Sequence, residues 1–263
     1  MIQKMRRILQ IILILFFNQM VFAQPEGLLP PASTTAPDIF VGLQGRLKIA
    51  YTERFPTIAK TLAQHNIYID SVEIYLRAFK RQEELQLWAK NCTDSTFIYI
   101  KSYDFCAISG QLGPKRKEGD KQIPEGFYFI KEFMEESPYY LSLVLSYPNS
   151  ADKVKGDAEK PGSDIHIHGD CVSTGCISIN EEIKELYTLS HEARRHGQDF
   201  IEVHIFPSDF AATSTLDLIK ENKAFESYRA FWESLEKAFC FFEKNKQIPD
   251  FRIDRDGNYE VVE

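Results

Sequence analysis

Ile165-His166-Ile167-His168-Gly169-Asp170-Cys171-Val172-Ser173-Thr174-Gly175-Cys176-Ile177-Ser178-Ile179 is the stretch from which the rest of the chain can be read. His166 and His168 are two apart in an extended segment, so both point to one face while Ile165 and Ile167 point to the other. Gly169 permits a turn where that strand ends. Cys176 stands just before a helical pattern. Asn180 is positioned to cap it, Glu181 and Glu182 occupy its first turn, and Ile183, Leu186 and Tyr187 share a face. A cysteine beside a helix N-terminus sits in a field that favours thiolate, and a neighbouring imidazole adds to it. This is the Cys/His pairing that nucleophilic acyl transfer needs: the sulfur attacks, and the imidazole accepts and returns the proton. Two other readings fit the spacing. His166, His168, Cys171 and Cys176 are a potential metal set, though H-x-H with C-x4-C is not a common zinc pattern. Cys171 and Cys176 are also potential partners in a structural disulfide. The residues alone leave the three open.

Outward from this stretch, the chain is rich in short strands. Apolar residues alternate in Ile67 to Phe79, Glu84 to Trp88 and Phe97 to Tyr103. Phe127 to Ile130 follows the turn signal Pro124-Glu125-Gly126, and Tyr140 to Leu145, Asp164 to His168 and Phe200 to Phe206 are further strands. The helix opening at Asn180 ends by Gly197. Another helical stretch runs from about Asp217 to Lys244, with Phe225, Tyr228, Trp232, Leu235, Phe239 and Phe242 forming an aromatic stripe that reads as core packing. The expected fold is mixed α+β and β-rich, a twisted β-sandwich or barrel-like core with flanking helices.

The N-terminal part differs. Lys4, Arg6 and Arg7 precede an apolar run from Ile8 to Phe17, and Val21-Phe22-Ala23 offers a cleavage site, so residues 1–23 read as a secretory signal. The run is short for a membrane span of roughly 20 residues, which disfavours an uncleaved anchor. Residues 24–38, with Pro25, Pro30, Pro31 and Pro37, read as a linker. Residues 39–66 read as helical segments interrupted at Pro56, and 67–262 as the main domain. The 263 residues carry a net charge of −7, with 44% hydrophobic and 26% charged residues. This is globular composition with no basic excess, so a nucleic-acid partner is not expected. The signal holds three of the 31 Lys and Arg and no acid; without it, 28 bases face 38 acids, a charge of −10. Five cysteines are too few for a disulfide scaffold, and their odd number leaves at least one thiol unpaired within the chain.

His-Gly followed closely by Ser-x-Gly-Cys resembles the signature of YkuD-type L,D-transpeptidase catalytic domains, which act on bacterial peptidoglycan. Gly110 through Asp120 (GQLGPKRKEGD), Ile123-Pro124-Glu125-Gly126-Phe127-Tyr128, Ser146-Tyr147-Pro148-Asn149, Val203-His204-Ile205-Phe206-Pro207 and Phe231-Trp232 are similar to the YafK-like branch, over about residues 67–262. The resemblance implies that Cys176 is the nucleophile, that His168 is its base, and that the Gly169 carbonyl orients the imidazole. Backbone N–H groups around Gly175 and Cys176 would form the oxyanion hole. It implies attack on the L,D amide after the third residue of a stem peptide, usually a diamino acid. Resolution by an amine gives transpeptidation, and resolution by water gives hydrolysis, including of a protein–peptidoglycan link. The expected partners are stem peptides and a wall-linked protein, the expected location is the periplasm or cell envelope, and no cofactor or metal is implied. Thr174 and Ser178 stand where the wider family usually has His and Arg, which fits the YafK-like branch. The alternative is a catalytically idle wall-binding protein with the same fold.

Other residues carry weaker expectations. Ser173, Thr174 and His166 are candidate substrate contacts. Lys115 and Arg116 form a candidate clamp for stem carboxylates. Cys171 is a candidate redox partner for Cys176. Cys92, Cys106 and Cys240 are expected to be buried or paired. His204 is expected to be structural.

Overall fold

Strand β1 (Val72–Phe79) shows why a sheet forms and what covers it. Its residues are buried on both faces, as expected for a central strand with helices on either side. Tyr75, Arg77 and Phe79 face one way. Arg77, 1% exposed, sits among the rings of Phe79, Trp88, Phe206, Phe239 and Phe242 at 4.5–5.7 Å and pairs with Glu243 at 2.6 Å. A guanidinium withdrawn from water needs such a counter-ion and ring faces.

The computed structural model describes residues 42–262; the expected signal and linker lie outside them. The strands after β1 are β2 (Glu84–Asn91), β3 (Ile98–Asp104), β4 (Gly126–Ser137), β5 (Tyr140–Leu145), β6 (His166–His168), β7 (Ile177–Ser178) and β8 (Glu202–Phe206). They form one eight-stranded sheet in the order β3-β2-β1-β8-β4-β5-β6-β7, curled as a half-barrel. The β1–β8 and β6–β7 pairs are parallel and the others antiparallel. The curl centres on β4. Its first residues pair with β8, and from Ile130 onward it pairs with β5 through a register shift at Ile130/Glu132. Such bulges bend a strand and increase its twist. The expected β-rich mixed fold is therefore present.

Helix α1 (Gly45–Gln64) continues through Pro56 instead of breaking there. Pro56 is exposed, so water can satisfy the carbonyl it orphans, while Leu47, Ala50, Tyr51, Ile58 and Leu62 keep one face buried. That face packs on α3 (Ile183–Arg195), where the Tyr51 hydroxyl meets His191 Nδ1 at 2.6 Å and Glu192 at 2.5 Å. Between β5 and β6 lies α2 (Ser150–Lys155), closed by a reciprocal capping box between Asn149 and Asp152.

The predicted single C-terminal helix divides into α4 (Thr215–Glu221), a 3-10 stretch (Lys223–Tyr228) and α5 (Arg229–Asn245). Asn222 adopts extended backbone at the break and caps the second piece through its side chain. Of the aromatic stripe, Trp232, Leu235, Phe239 and Phe242 are buried, while Phe225 and Tyr228 are half-buried against the same core. Strands β9 (Asp250–Ile253) and β10 (Tyr259–Val262) form a separate hairpin, and Tyr259 joins the α5 core.

Candidate active site

The parallel β6–β7 pair assembles the site. Ile167 is in register with Ile177, and His168 with Ser178. Cross-strand partners share a face and alternate residues return to it. Cys176, one residue before β7, therefore shares the face of His166 and His168. The His166 amide donates to Cys176 Sγ at 3.4 Å, and the thiol lies 3.6 Å from the Asp164 carbonyl.

His168 is 1% exposed, and its Nδ1 is hydrogen-bonded to the Gly169 carbonyl. A carbonyl can only accept, so Nδ1 carries the proton and Nε2 is the free base. Burial holds the His168 pKa below the usual histidine range, against the opposing pull of the Gly169 carbonyl and Asp170. Burial also raises the Cys176 thiol, an effect the His166 amide only partly offsets. Thiol and imidazole therefore rest neutral. Cys176 does not stand at a helix N-terminus, contrary to the sequence pattern. Cys176 heads a strand, a 3-10 turn (Asn180–Glu182) separates β7 from α3, and Asn180 makes no side-chain cap.

Two glycines set the loop. A Cβ on Gly175, whose φ is +126°, would meet the Gln122 carbonyl oxygen at 2.9 Å. A Cβ on Gly169 would lie 3.1 Å from both Ile183 and the Tyr139 carbonyl. Ser173 is a loop staple rather than a free contact: its Oγ donates to the Cys176 carbonyl at 2.8 Å, accepts from Gly175 N–H at 3.3 Å and meets Ser109 Oγ at 3.0 Å. Thr174 is exposed. His166 is 8% exposed, and its Nδ1 has no hydrogen-bond partner among the described residues.

The loop before β4 is anchored from below. Lys80 Nζ donates to the carbonyls of Gly113 (2.6 Å) and Ile123 (2.9 Å) and to Glu125 (3.0 Å). Glu125 also accepts from Gly113 N–H at 2.8 Å and from Trp232 Nε1 at 2.7 Å. This buried network holds Ile123, the neighbour of Gln122, whose N–H donates to Asp120 and whose carbonyl lies under Gly175. Its signal in the sequence was Glu125 within Pro-Glu-Gly, read there as a turn only.

The expected carboxylate clamp takes a different form. Lys115 is 4% exposed and pairs with Asp120 at 2.6 Å while donating to the Lys117 carbonyl. Arg116 lies over Phe231 at 5.2 Å, with Asp152 at 4.0 Å. Lys115 is committed within the protein, whereas Arg116 keeps a partly exposed side chain whose Nη1 has no hydrogen-bond partner among the described residues. Asp120 organises the loop: burial pushes its pKa up, but Lys115 and the N–H groups of Arg116, Lys117 and Gln122 outweigh that and hold it below its ordinary value.

The cysteines also require correction. Cys171 is bonded to Cys106, not to Cys176, because Cys106 follows β3 alongside β7: its N–H donates to Ser178 O at 2.8 Å, and Ala107 bridges Ser178. With Cys171 in that bond, the four-ligand metal set is not assembled, and no metal-holding group of three or more His, Cys, Asp or Glu occurs among the described residues. Cys176 is free and half-buried, while Cys92 and Cys240 are free and exposed rather than buried or paired. His204 is buried on β8, bonded to the Tyr75 hydroxyl at 2.7 Å and stacked on Phe127.

A model of the L,D-transpeptidase catalytic domain, YkuD, matches residues 78–197. "Putative L,D-transpeptidase YafK" of Escherichia coli strain K12 is 32% identical over 191 residues, covering 72% of this chain and 73% of the relative. Among solved structures, the helical cell shape determining protein Pgp2 of Campylobacter jejuni is similar at 19% identity and a TM-score of 0.40, over 71% of this chain and 74% of that one. Bd1075 of Bdellovibrio bacteriovorus is similar at 19% identity and a TM-score of 0.37, over 70% and 75%. On the domain match and the extended identity to YafK, the chain belongs to the YkuD-type L,D-transpeptidase family, in its YafK-like branch.

Proposed function

We propose that this chain is an exported, peptidoglycan-remodelling cysteine acyltransferase of the L,D-transpeptidase class. The observation that carries the reading is the tautomer of His168: with Nδ1 bonded to the Gly169 carbonyl, Nε2 is an unprotonated base on the face that also bears Cys176. Because both groups rest neutral, the thiol passes its proton to Nε2 as sulfur attacks, rather than from a standing ion pair. The sulfur bonds to the carbonyl carbon of the third stem residue. The amide C–N bond then breaks, and the departing amine takes the proton from His168. An amine or a water molecule next attacks the thioester, gives its proton to His168, and the thiol is regenerated. Gly175 N–H is turned to Ser173, which leaves the Cys176 N–H as the proposed oxyanion donor.

Export rests on the pattern of residues 1–23, and residence in the cell envelope follows from the substrate. No helix among the described residues is long and apolar enough to cross a membrane. With Lys115 paired to Asp120, donor recognition falls to Arg116, His166 and Thr174. The test is incubation of the purified protein with defined muropeptides, read by mass spectrometry. Crosslinked product indicates transfer and trimmed stems indicate hydrolysis, with Cys176→Ala and His168→Gln inactive in both. Neither product under reducing conditions would favour the idle wall-binding reading.

A further inference from the structure

The β4–β5 hairpin turns over the imidazole of His168. Its tip is Pro138-Tyr139, and the Tyr139 ring lies 4.7 Å from the His168 ring, tilted by 31°. The tip is not a relaxed turn: Tyr140 has a φ of +75°, a left-handed conformation that a tyrosine adopts only at a cost. Other contacts hold it there. Arg46, in the first turn of α1, donates from one guanidinium nitrogen to the carbonyls of Ser137 at 2.6 Å and Tyr140 at 2.7 Å, and its guanidinium lies over the Tyr140 ring at 5.3 Å. Tyr139 N–H donates to Ser137 Oγ at 3.1 Å. The buried hydroxyls of Ser137 and Ser142 meet at 2.6 Å, and Ser142 is the cross-strand partner of His168. A continuous path of contacts thus runs from α1, outside the matched family domain, to the face of the imidazole.

We propose that Tyr139, held in place by Arg46, is a positioning residue that fixes the plane of the His168 imidazole and shields it from water. The proposal rests on His168 acting as the base. The titratable groups around His168 are Asp170 in the next loop, His166 on the same strand and Tyr139 above it, with Cys176 on the same face of the sheet. Burial is the main cause of its lowered basicity, so removal of the covering ring is expected to raise its titration midpoint.

The test is an NMR titration of the histidine ring carbon-bound protons in the purified protein, with the His168 signal assigned by its loss in His168→Gln. Tyr139→Ala and Arg46→Ala are each expected to raise the midpoint by about half a pH unit or more, and Tyr139→Phe to restore it. On muropeptides, Tyr139→Ala is expected to lower kcat about tenfold with little change in KM, which corresponds to a small misorientation of the base. If Arg46→Ala does not fold, Arg46→Lys and the two Tyr139 variants carry the test. An unchanged midpoint in Tyr139→Ala overturns the proposal. So does a rise in KM alone, which would make Tyr139 a substrate contact. Turnover surviving in His168→Gln instead overturns the base assignment, and with it the catalytic half of the proposal, whatever the titration shows.

Discussion

Replacing Glu125 with Gln tests the buried network beneath the active-site loop. Glu125 is 0% exposed and Lys80 2% exposed, 3.0 Å apart. Breaking a buried pair from one side costs about 3–5 kcal/mol, because the remaining charge is left uncompensated. Lys80 would keep the Gly113 and Ile123 carbonyls, which places the expected loss near the low end, about 3 kcal/mol. For a domain of this size each kcal/mol moves the melting temperature by about 2–4 °C, so a fall of about 6–12 °C is expected. Burial drags the Lys80 pKa down, and Glu125 is the main opposing influence. Without it Lys80 is depressed further, the unfolded chain binds more protons than the folded one, and the variant's stability rises with pH. Melting followed by circular dichroism at pH 7 and pH 9 is the assay. The deficit should narrow at pH 9, and a further Lys80→Met change should recover part of it at pH 7. A melting temperature within about 2 °C of the parent would refute the reasoning, as would a deficit independent of pH.

Gly175→Ala would drive its Cβ to 2.9 Å from the Gln122 carbonyl at a left-handed φ, so a stability loss of about 1–3 kcal/mol is expected, with turnover reduced more than about tenfold; parental turnover would refute the fit. Asp152 is buried and its pKa is pushed up to about 6 by desolvation. A raised carboxyl contributes stability below the unfolded value that is lost as pH rises through about 6. Denaturant unfolding should therefore show Asp152→Asn becoming relatively more stable between pH 4 and pH 7, by about 2–3 kcal/mol; a constant difference would contradict this. Of five cysteines, three are free, so thiol titration of unreduced, denatured protein should count three and Cys171→Ser four; five without reductant would exclude the Cys106–Cys171 bond.

Local patterns were legible where one local cause decides the outcome. The alternation in Val72-Glu73-Ile74 marked β1, and the Ile183, Leu186, Tyr187 face marked α3. His168, Gly169, Gly175 and Cys176 do fall on one strand–loop–strand unit. Features set by distant partners were not readable. Cys106 and Cys171 are 65 residues apart, and only the placement of β3's end against β7 brings them together. Lys115 looked like a free cation, although Asp120 five residues on was available as its partner. Pro56 looked like a break because its exposure cannot be seen in sequence. The β9–β10 hairpin has only a weak signal, Asp256-Gly257 between two short strands, beside the stronger aromatic stripe of α5. Asn180 looked like a cap because a 3-10 turn and a helix start share the same signal.

The proposed function stands on two roles: Cys176 carries the acyl group and His168 moves its proton. Intact-protein mass spectrometry during the first turnovers on a defined stem peptide tests it most directly. The expected result is a transient mass increase equal to the acyl portion, mapped by digestion to Cys176 and absent in both Cys176→Ala and His168→Gln. An adduct mapping to another residue, or turnover persisting in Cys176→Ala, would contradict it.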